Sequence, residues 1–260
     1  MKRNSQNRNF RHRRHMIMDL LQEQGEVSVE YLVRLFDTSE VTIRKDLTTL
    51  EESGFLLRRY GGAILMPKES MVEAADESLS NRKLEIAKRA AERIRDHHRI
   101  IIDSGSTTAA LIKQLSDKQG LVVMTNSLSV ASELCELESE PTLLMTGGTW
   151  DIRSESFQGK VAEQVLRSYD FDQLFIGADG IDLARGTTTF NELINLSRVM
   201  ADVSREVIVM VESQKIGRKM PNLELSWAQI DVLITDDELS EADSEAILAH
   251  NVELICVSAV

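Results

Sequence analysis

The residues best suited to chemistry fall in short polar segments, each placed directly after an apolar run. DSGSTT at 103–108 follows 100–102, TNSLS at 125–129 follows 122–124, and TGG at 146–148 follows 143–145. GADGID at 177–182 and GTTTFNE at 186–192 follow 174–176, and Glu212, Ser213, Gln214 and Lys215 follow the run at 206–211. Glycine and hydroxyl residues at such exits leave backbone N–H groups open to an anion, and a helix start adds positive potential. Asp103, Ser104, Gly105, Ser106, Thr107 and Thr108 therefore read as a phosphate cradle. Thr125, Asn126, Ser127, Gly147, Gly148, Gly177, Asp179, Gly180, Glu192 and Lys215 supply donors and acceptors around it. Each segment alone could be an ordinary strand-to-helix turn. Five consecutive polar exits instead describe a cup for a small, hydroxylated, phosphorylated molecule.

A second set lies near the N-terminus. Between Ser39 and Gly54 the apolar Ile43, Leu47 and Leu50 recur at spacings of four and three, so they share one helix face. Ser39, Thr42, Arg44, Lys45 and Thr48 are left to other faces, and hydroxyls and cations there suit the DNA major groove. Arg58, Arg59 and Tyr60 sit in a following pair of short apolar strands that turn near Gly61 and Gly62. Cations in such a ribbon would lie along phosphates, as would Lys2, Arg3, Arg8, Arg11, Arg13 and Arg14 of a basic arm.

The elements that position these residues can be read from periodicity and capping. Ser28 caps a first helix with Leu32 and Leu35 on one face, residues 37–39 break it, Ser39 caps the second helix and Gly54 ends it. This is the pattern of a winged helix-turn-helix over residues 1–66. Residues 67–80, rich in acidic and polar residues after Pro67, read as a linker. A helix from about 81 with Leu84, Ala87, Ala91 and Ile94 on one face opens the body at 81–260. Apolar runs at 100–102, 121–124, 142–145, 173–177, 206–211, 232–235 and 252–257 alternate with helical patterns. That alternation predicts an α/β body around a largely parallel sheet, where ligands bind beyond the carboxyl ends of the strands.

Charge separates the two parts. The chain carries −12 overall, yet residues 1–66 hold 11 Lys and Arg against 9 Asp and Glu, a net of +2. The remaining 194 hold 19 against 33, a net of −14, so the acidic body has work other than binding nucleic acid. Cys135 and Cys256 lie in apolar contexts in no metal-binding or disulfide pattern, which predicts buried thiols in a reducing compartment and neither metal nor cofactor. No apolar stretch reaches membrane-span length and the basic N-terminus lacks a signal-peptide core, so a cytoplasmic protein without a membrane partner is expected.

The ordered segments VTIRKDLTTLEESGFLLRRYGGA, IIDSGSTT, VVMTNSLSVA, LLMTGG, FIGADGID, GTTTFNE and VESQKIGRK resemble the DeoR family of bacterial sugar-operon regulators from about residue 13 onward. Within it, the glucitol-operon and N-acetylgalactosamine-operon repressors are the most similar in look. The resemblance implies a winged helix joined to a sensor with the fold of ribose-5-phosphate isomerase, glucosamine-6-phosphate deaminase and CoA transferases. It further implies a phosphorylated sugar or sugar-alcohol effector, with residues 104–108 at its phosphate and Asp179 near its hydroxyls. The family usually reads Asp-Ser-Ser-Lys where this chain has Glu212, Ser213, Gln214 and Lys215, a departure that bears on ligand choice.

The expectation is thus a repressor whose binding to double-stranded operator DNA responds to a sugar phosphate, acting as a dimer or tetramer. The rival is a sugar-phosphate isomerase carrying a DNA-binding head, with Asp103, Asp179 or Glu192 as proton-transfer base. Histidines occur only at 12, 15, 97, 98 and 250, outside the strand-exit loops, which argues against a histidine-dependent deaminase and leaves the enzyme reading second.

Overall fold

A computed structural model describes residues 13, 14, 16–18, 20, 21, 24–52, 56–59, 61–65, 77–152, 154–189, 191 and 194–258. The chain divides into two compact units, Met1–Ala74 and Ala75–Val260.

In the first unit, β1 (Glu26–Ser28) leads into α1 (Val29–Phe36), α2 (Glu40–Glu52), β2 (Leu56–Arg59) and β3 (Gly62–Leu65). The Ser28 hydroxyl accepts from the Tyr31 N–H at 3.0 Å and the Ser39 hydroxyl from the Thr42 N–H at 3.2 Å, satisfying donors that each helix start leaves open. Asp37 closes α1 in the left-handed conformation, φ 43°, which sets up the turn. Ile43, Leu47 and Leu50 are buried together with Ile17, Leu21, Val27 and Leu32, so the second helix buries the face its spacing predicts. Leu35 does not join them. It is 45 % exposed, whereas Val33 and Phe36 of the same last turn pack against this core, so Leu35 lies on the outer side of α1. Strands β2 and β3 form the antiparallel ribbon, and β1, absent from the sequence reading, pairs with β3 on its far side.

The second unit opens with α3 (Glu77–Ala91), which starts inside the stretch read as a linker and ends before Ile94. Its core strands are β4 (Arg99–Ile102), β5 (Val122–Thr125), β6 (Thr142–Met145), β9 (Phe171–Ile176), β12 (Ser204–Met210), β14 (Val232–Asp236) and β15 (Glu253–Val257). All seven pair in parallel, in the order β15-β14-β12-β9-β4-β5-β6. Their apolar side chains feed two cores, one on each face, as a sheet covered on both sides requires. Helices α4 (Ser106–Ala109), α5 (Leu128–Cys135), α6 (Lys160–Leu166), α7 (Asn195–Asp202) and α8 (Glu241–Leu248) make the crossovers.

The order fixes where a ligand belongs. From β4 the chain steps outward to β5 and β6; from β9, on the other side of β4, it steps outward to β12, β14 and β15. The loops leaving β4 and β9 therefore diverge at a topological switch point, where open α/β sheets form their crevice.

Two smaller sheets were not anticipated. Strands β7 (Thr149–Asp151) and β8 (Ser156–Gln158) form a hairpin after β6. Strands β10 (Gly180–Asp182), β11 (Gly186–Thr189) and β13 (Asn222–Ser226), from the segments that follow β9 and β12, form an antiparallel sheet, so 180–182 of GADGID and 186–189 of GTTTFNE are strand rather than loop. The two cysteines also depart from expectation. Cys135 and Cys256 are both exposed, the first in the last turn of α5 and the second on the edge strand β15, where one face meets solvent.

Candidate functional site

The first unit presents Thr42, Arg44, Lys45 and Thr48 away from the face of α2 that is buried. Arg44 and Lys45 are exposed, and Arg44 is held by Glu40 one turn earlier at 2.6 Å, an exposed pair that a groove contact can exchange at little cost. Thr48 donates to the Arg44 carbonyl at 2.9 Å and accepts from Arg58 at 2.7 Å, so the ribbon is tied to the helix through the residues read as DNA contacts. Arg59 pairs with Glu26 at 3.1 Å. Tyr60 lies outside the described residues.

Arg13 and Arg14 have a different task from the one expected. Both grip Asp46, at 2.6 and 2.9 Å, and Asp46 is 2 % exposed within α2. A carboxylate sealed at that position needs cations, and the arm supplies them. These two arginines hold the recognition helix through Asp46 instead of extending along phosphates, and Lys2, Arg3, Arg8 and Arg11 lie outside the described residues.

In the second unit, the loop leaving β4 is built around Asp103. Its N–H donates to the Phe175 carbonyl at 3.0 Å, stitching the loop to β9 across the switch point. Asn126, buried at the exit of β5, donates to the Asp103 carboxylate at 2.7 Å and accepts from the Ser104 N–H at 3.0 Å. Gly105 takes φ 144°, a conformation that favours glycine, and the Thr108 hydroxyl closes the turn onto the Asp103 and Gly105 carbonyls at 2.8 and 2.9 Å. Thr107 and Thr108 are buried, whereas Gly105 is exposed. The helix that follows, α4, is a single turn. Its macrodipole is correspondingly small, so the sequence argument from a positive helix end loses weight. A cation takes that place: Lys83 of α3 reaches the Ser106 hydroxyl at 2.7 Å.

On the other side of the switch point, Thr189 of β11 donates to Asp179 at 2.6 Å. Lys215, 7 % exposed, reaches the Ala178 carbonyl at 3.1 Å, which excludes a solvent-facing loop lysine. Glu212, the longer carboxylate of the departure noted above, is 1 % exposed. Thr125 and Ser127 are buried, and Ser127 caps α5 through the Val130 N–H at 3.4 Å. Gly147 and Gly148 follow β6, and Gly177 follows β9. Gly180 is a structural position: a Cβ there would lie 2.3 Å from the Arg218 carbonyl oxygen, so β10 passes too close to admit one. Glu192 lies outside the described residues.

Electrostatics single out a residue that the sequence did not. Glu224, mid-strand in β13, accepts from Ser197 at 2.7 Å, and its proton affinity is pushed up to about 8. Burial is the main cause; Asp103 and Asp179 add to it by repulsion, while the Ser197 and Thr187 hydroxyls oppose it. Asp103 is likewise raised, to about 6, by burial and then by Asp179, against the stabilising hydrogen bonds from Asn126 and the Ser104 N–H. The loops after β4 and β9 and the strand β13 thus bring three carboxyl groups near one another at the switch point. The missed signal was Glu224 between Leu223 and Leu225, an acid alternating with apolar residues in NLELS, too polar a segment to register as a strand.

Comparison with known proteins agrees with both units. The DeoR-like helix-turn-helix domain matches residues 13–69 and the DeoR C terminal sensor domain matches residues 78–237. The chain belongs to the DeoR family. It is 39 % identical over 251 residues to a protein named as an aga operon transcriptional repressor in Escherichia coli O157:H7, covering 94 % of this chain and 93 % of that one. It is 31 % identical over 234 residues to the HTH-type transcriptional regulator GolR of Listeria innocua serovar 6a, covering 88 % and 92 %. A solved ribose 5-phosphate isomerase from Methanocaldococcus jannaschii matches with TM-score 0.37 and 20 % identity over 52 % of this chain and 53 % of that one. As a DeoR-family protein the chain is a DNA-binding transcriptional regulator, with the helix-turn-helix in its first unit and the sensor in its second. Among the described residues no helix is long and apolar enough to cross a membrane.

Proposed function

We propose that this regulator represses a sugar or sugar-alcohol catabolic operon and that a phosphorylated sugar, bound at the switch point of the sensor sheet, controls its affinity for operator DNA. The observation that carries the reading is the loop after β4, where Lys83, the Ser106 hydroxyl and the glycine turn at Gly105 meet. A phosphate finds there a cation, hydroxyl donors and backbone N–H groups without a side chain at Gly105 to fend it off. The carboxyl groups of Asp103, Asp179 and Glu224 then face the hydroxylated part of the ligand. Lys215 supports the loop after β9 through the Ala178 carbonyl and bounds the cup on that side.

At the DNA end, Ser39, Thr42, Arg44, Lys45 and Thr48 offer contacts in the major groove, and Arg58 and Arg59 lie toward phosphate. Paired half-sites call for a dimer or tetramer, assembled through the sensor units, with the chain ahead of α3 as the joint to the DNA-binding unit. The protein acts in the cytoplasm as a sensor rather than an isomerase. Both assigned aspartates are tied within the fold, Asp103 by Asn126 and Asp179 by Thr189, where a proton-transfer base must reach a substrate carbon. Operator binding measured with and without hexose and hexitol phosphates, beside a turnover assay on the same compounds, tests the reading. A ligand that shifts DNA affinity and is not converted supports it; sustained turnover contradicts it.

A further inference from the structure

Glu224 lies on a strand that no apolar pattern announces, yet it shares one face of β11 with Asp179: Thr187 approaches Glu224 and Thr189, two residues on, donates to Asp179 of the loop after β9. Its surroundings are unusual for a carboxylate. Thr187 on β11 and Ser197 on α7 approach it as neutral hydroxyls, at 3.4 and 2.7 Å. Arg198, next along α7, donates to the main-chain carbonyls of Glu224 and Leu223 at 3.1 and 2.9 Å, not to the carboxyl. Asp103, from the loop after β4, and Asp179, from the loop after β9, face it with negative charge. The charged groups from each neighbouring element therefore either repel a second anion or are engaged elsewhere.

We infer that Glu224 is a specificity-determining residue of the effector cup and meets the sugar phosphate as a neutral carboxylic acid that donates a hydrogen bond to a ligand hydroxyl. The inference rests on the effector-site reading above. A phosphorylated ligand brings about two negative charges, and a cup already lined by the Asp103 and Asp179 carboxyls disfavours a third charged carboxylate beside it. Kept neutral, Glu224 removes that repulsion and adds a donor that an ionised carboxylate lacks. Binding then depends on a proton. With a midpoint near pH 8, affinity falls about tenfold between pH 7 and pH 9, a window above the Asp103 midpoint of about 6 in which the phosphate itself stays dianionic.

Calorimetry on the full chain with glucitol 6-phosphate, glucose 6-phosphate and N-acetylgalactosamine 6-phosphate, none of which carries an amine, provides the test. For the ligand that binds, the wild type should lose about tenfold in affinity from pH 7 to pH 9 and take up about three-quarters of a proton at pH 8.5, measured in two buffers of different ionisation enthalpy. Glu224→Gln, neutral at every pH and still a donor, should bind with a flat profile and no proton uptake, while its operator binding without ligand is unchanged. A flat wild-type profile, or a Glu224→Gln profile that falls like the wild type, overturns the role given to Glu224 and leaves the effector site standing. Binding by none of the three phosphates overturns the effector-site reading and this inference with it. Should Glu224→Gln fail to fold, the wild-type proton count alone decides.

Discussion

Single side chains in this protein act by bridging loops that the sheet places side by side. Asn126 is the clearest case: one amide holds the Asp103 carboxylate and the Ser104 N–H, joining the exits of β4 and β5. Asn126→Ala removes both bonds at a buried position, and each abandoned group costs about 1–3 kcal/mol. The sensor unit should lose stability by that order, and sugar-phosphate response should weaken while operator binding without ligand persists. Thermal unfolding and a ligand titration check the two parts separately. Glu224 and Asp103 also make a prediction about pH. Both hold their protons more tightly in the fold than an ordinary carboxyl does. Their stabilising contribution is complete below the usual carboxylate range and is lost as pH rises through about 6 for Asp103 and about 8 for Glu224. Glu224→Gln should therefore raise the melting temperature of the sensor unit more at pH 9 than at pH 6, and an equal shift at both values would contradict the assignment.

Elements show where sequence reading succeeds and where it stops. The core strands of the parallel sheet announce themselves because burial on both faces demands continuous apolar runs, and capping serines mark the helix starts in the first unit. Strands β10, β11 and β13 do not, since GTTT and NLELS look like loop to any reading based on hydrophobicity, although tertiary packing buries all of 186–189. The same limit hid Lys83 and Glu224, whose importance depends on which loop lies opposite. Leu35 and the two cysteines failed for a related reason: apolar context in sequence does not say which side of an edge element meets solvent. At the DNA end, Arg44 on α2 and Arg59 on β2 are two kinds of cation contact that should separate experimentally. Arg44→Ala should lower specific operator affinity by about 1–3 kcal/mol and relax base preference. Arg59→Ala should weaken specific and nonspecific DNA alike and flatten the salt dependence. Asp46→Ala tests the internal clamp. It leaves Arg13 and Arg14 without their carboxylate and should destabilise the first unit by about 3–5 kcal/mol, the order seen when one partner of a buried pair is removed, seen as a lower unfolding midpoint for that unit.

At the scale of the whole molecule, the proposed function requires that a sugar phosphate in the second unit govern what the first unit does on DNA. Such control requires that the ligand bind the DNA-competent and the released arrangements with different affinity, typically by about 1–3 kcal/mol. The charge division suits the arrangement, a net of +2 at residues 1–66 for phosphate backbone and −14 in the remainder to keep the sensor off it. Fluorescence anisotropy of labelled operator DNA with the full chain, titrated with sugar phosphates and with their dephosphorylated parents, measures the claim most directly. Wild-type protein should change its operator affinity about 5–150-fold with one phosphate and not with its parent. Lys83→Ala should bind operator as the wild type does yet lose most of that response. If Lys83→Ala responds to the phosphate with wild-type sensitivity, or if the unphosphorylated sugar acts equally well, the phosphate is not read at the loop after β4 and the central claim is contradicted.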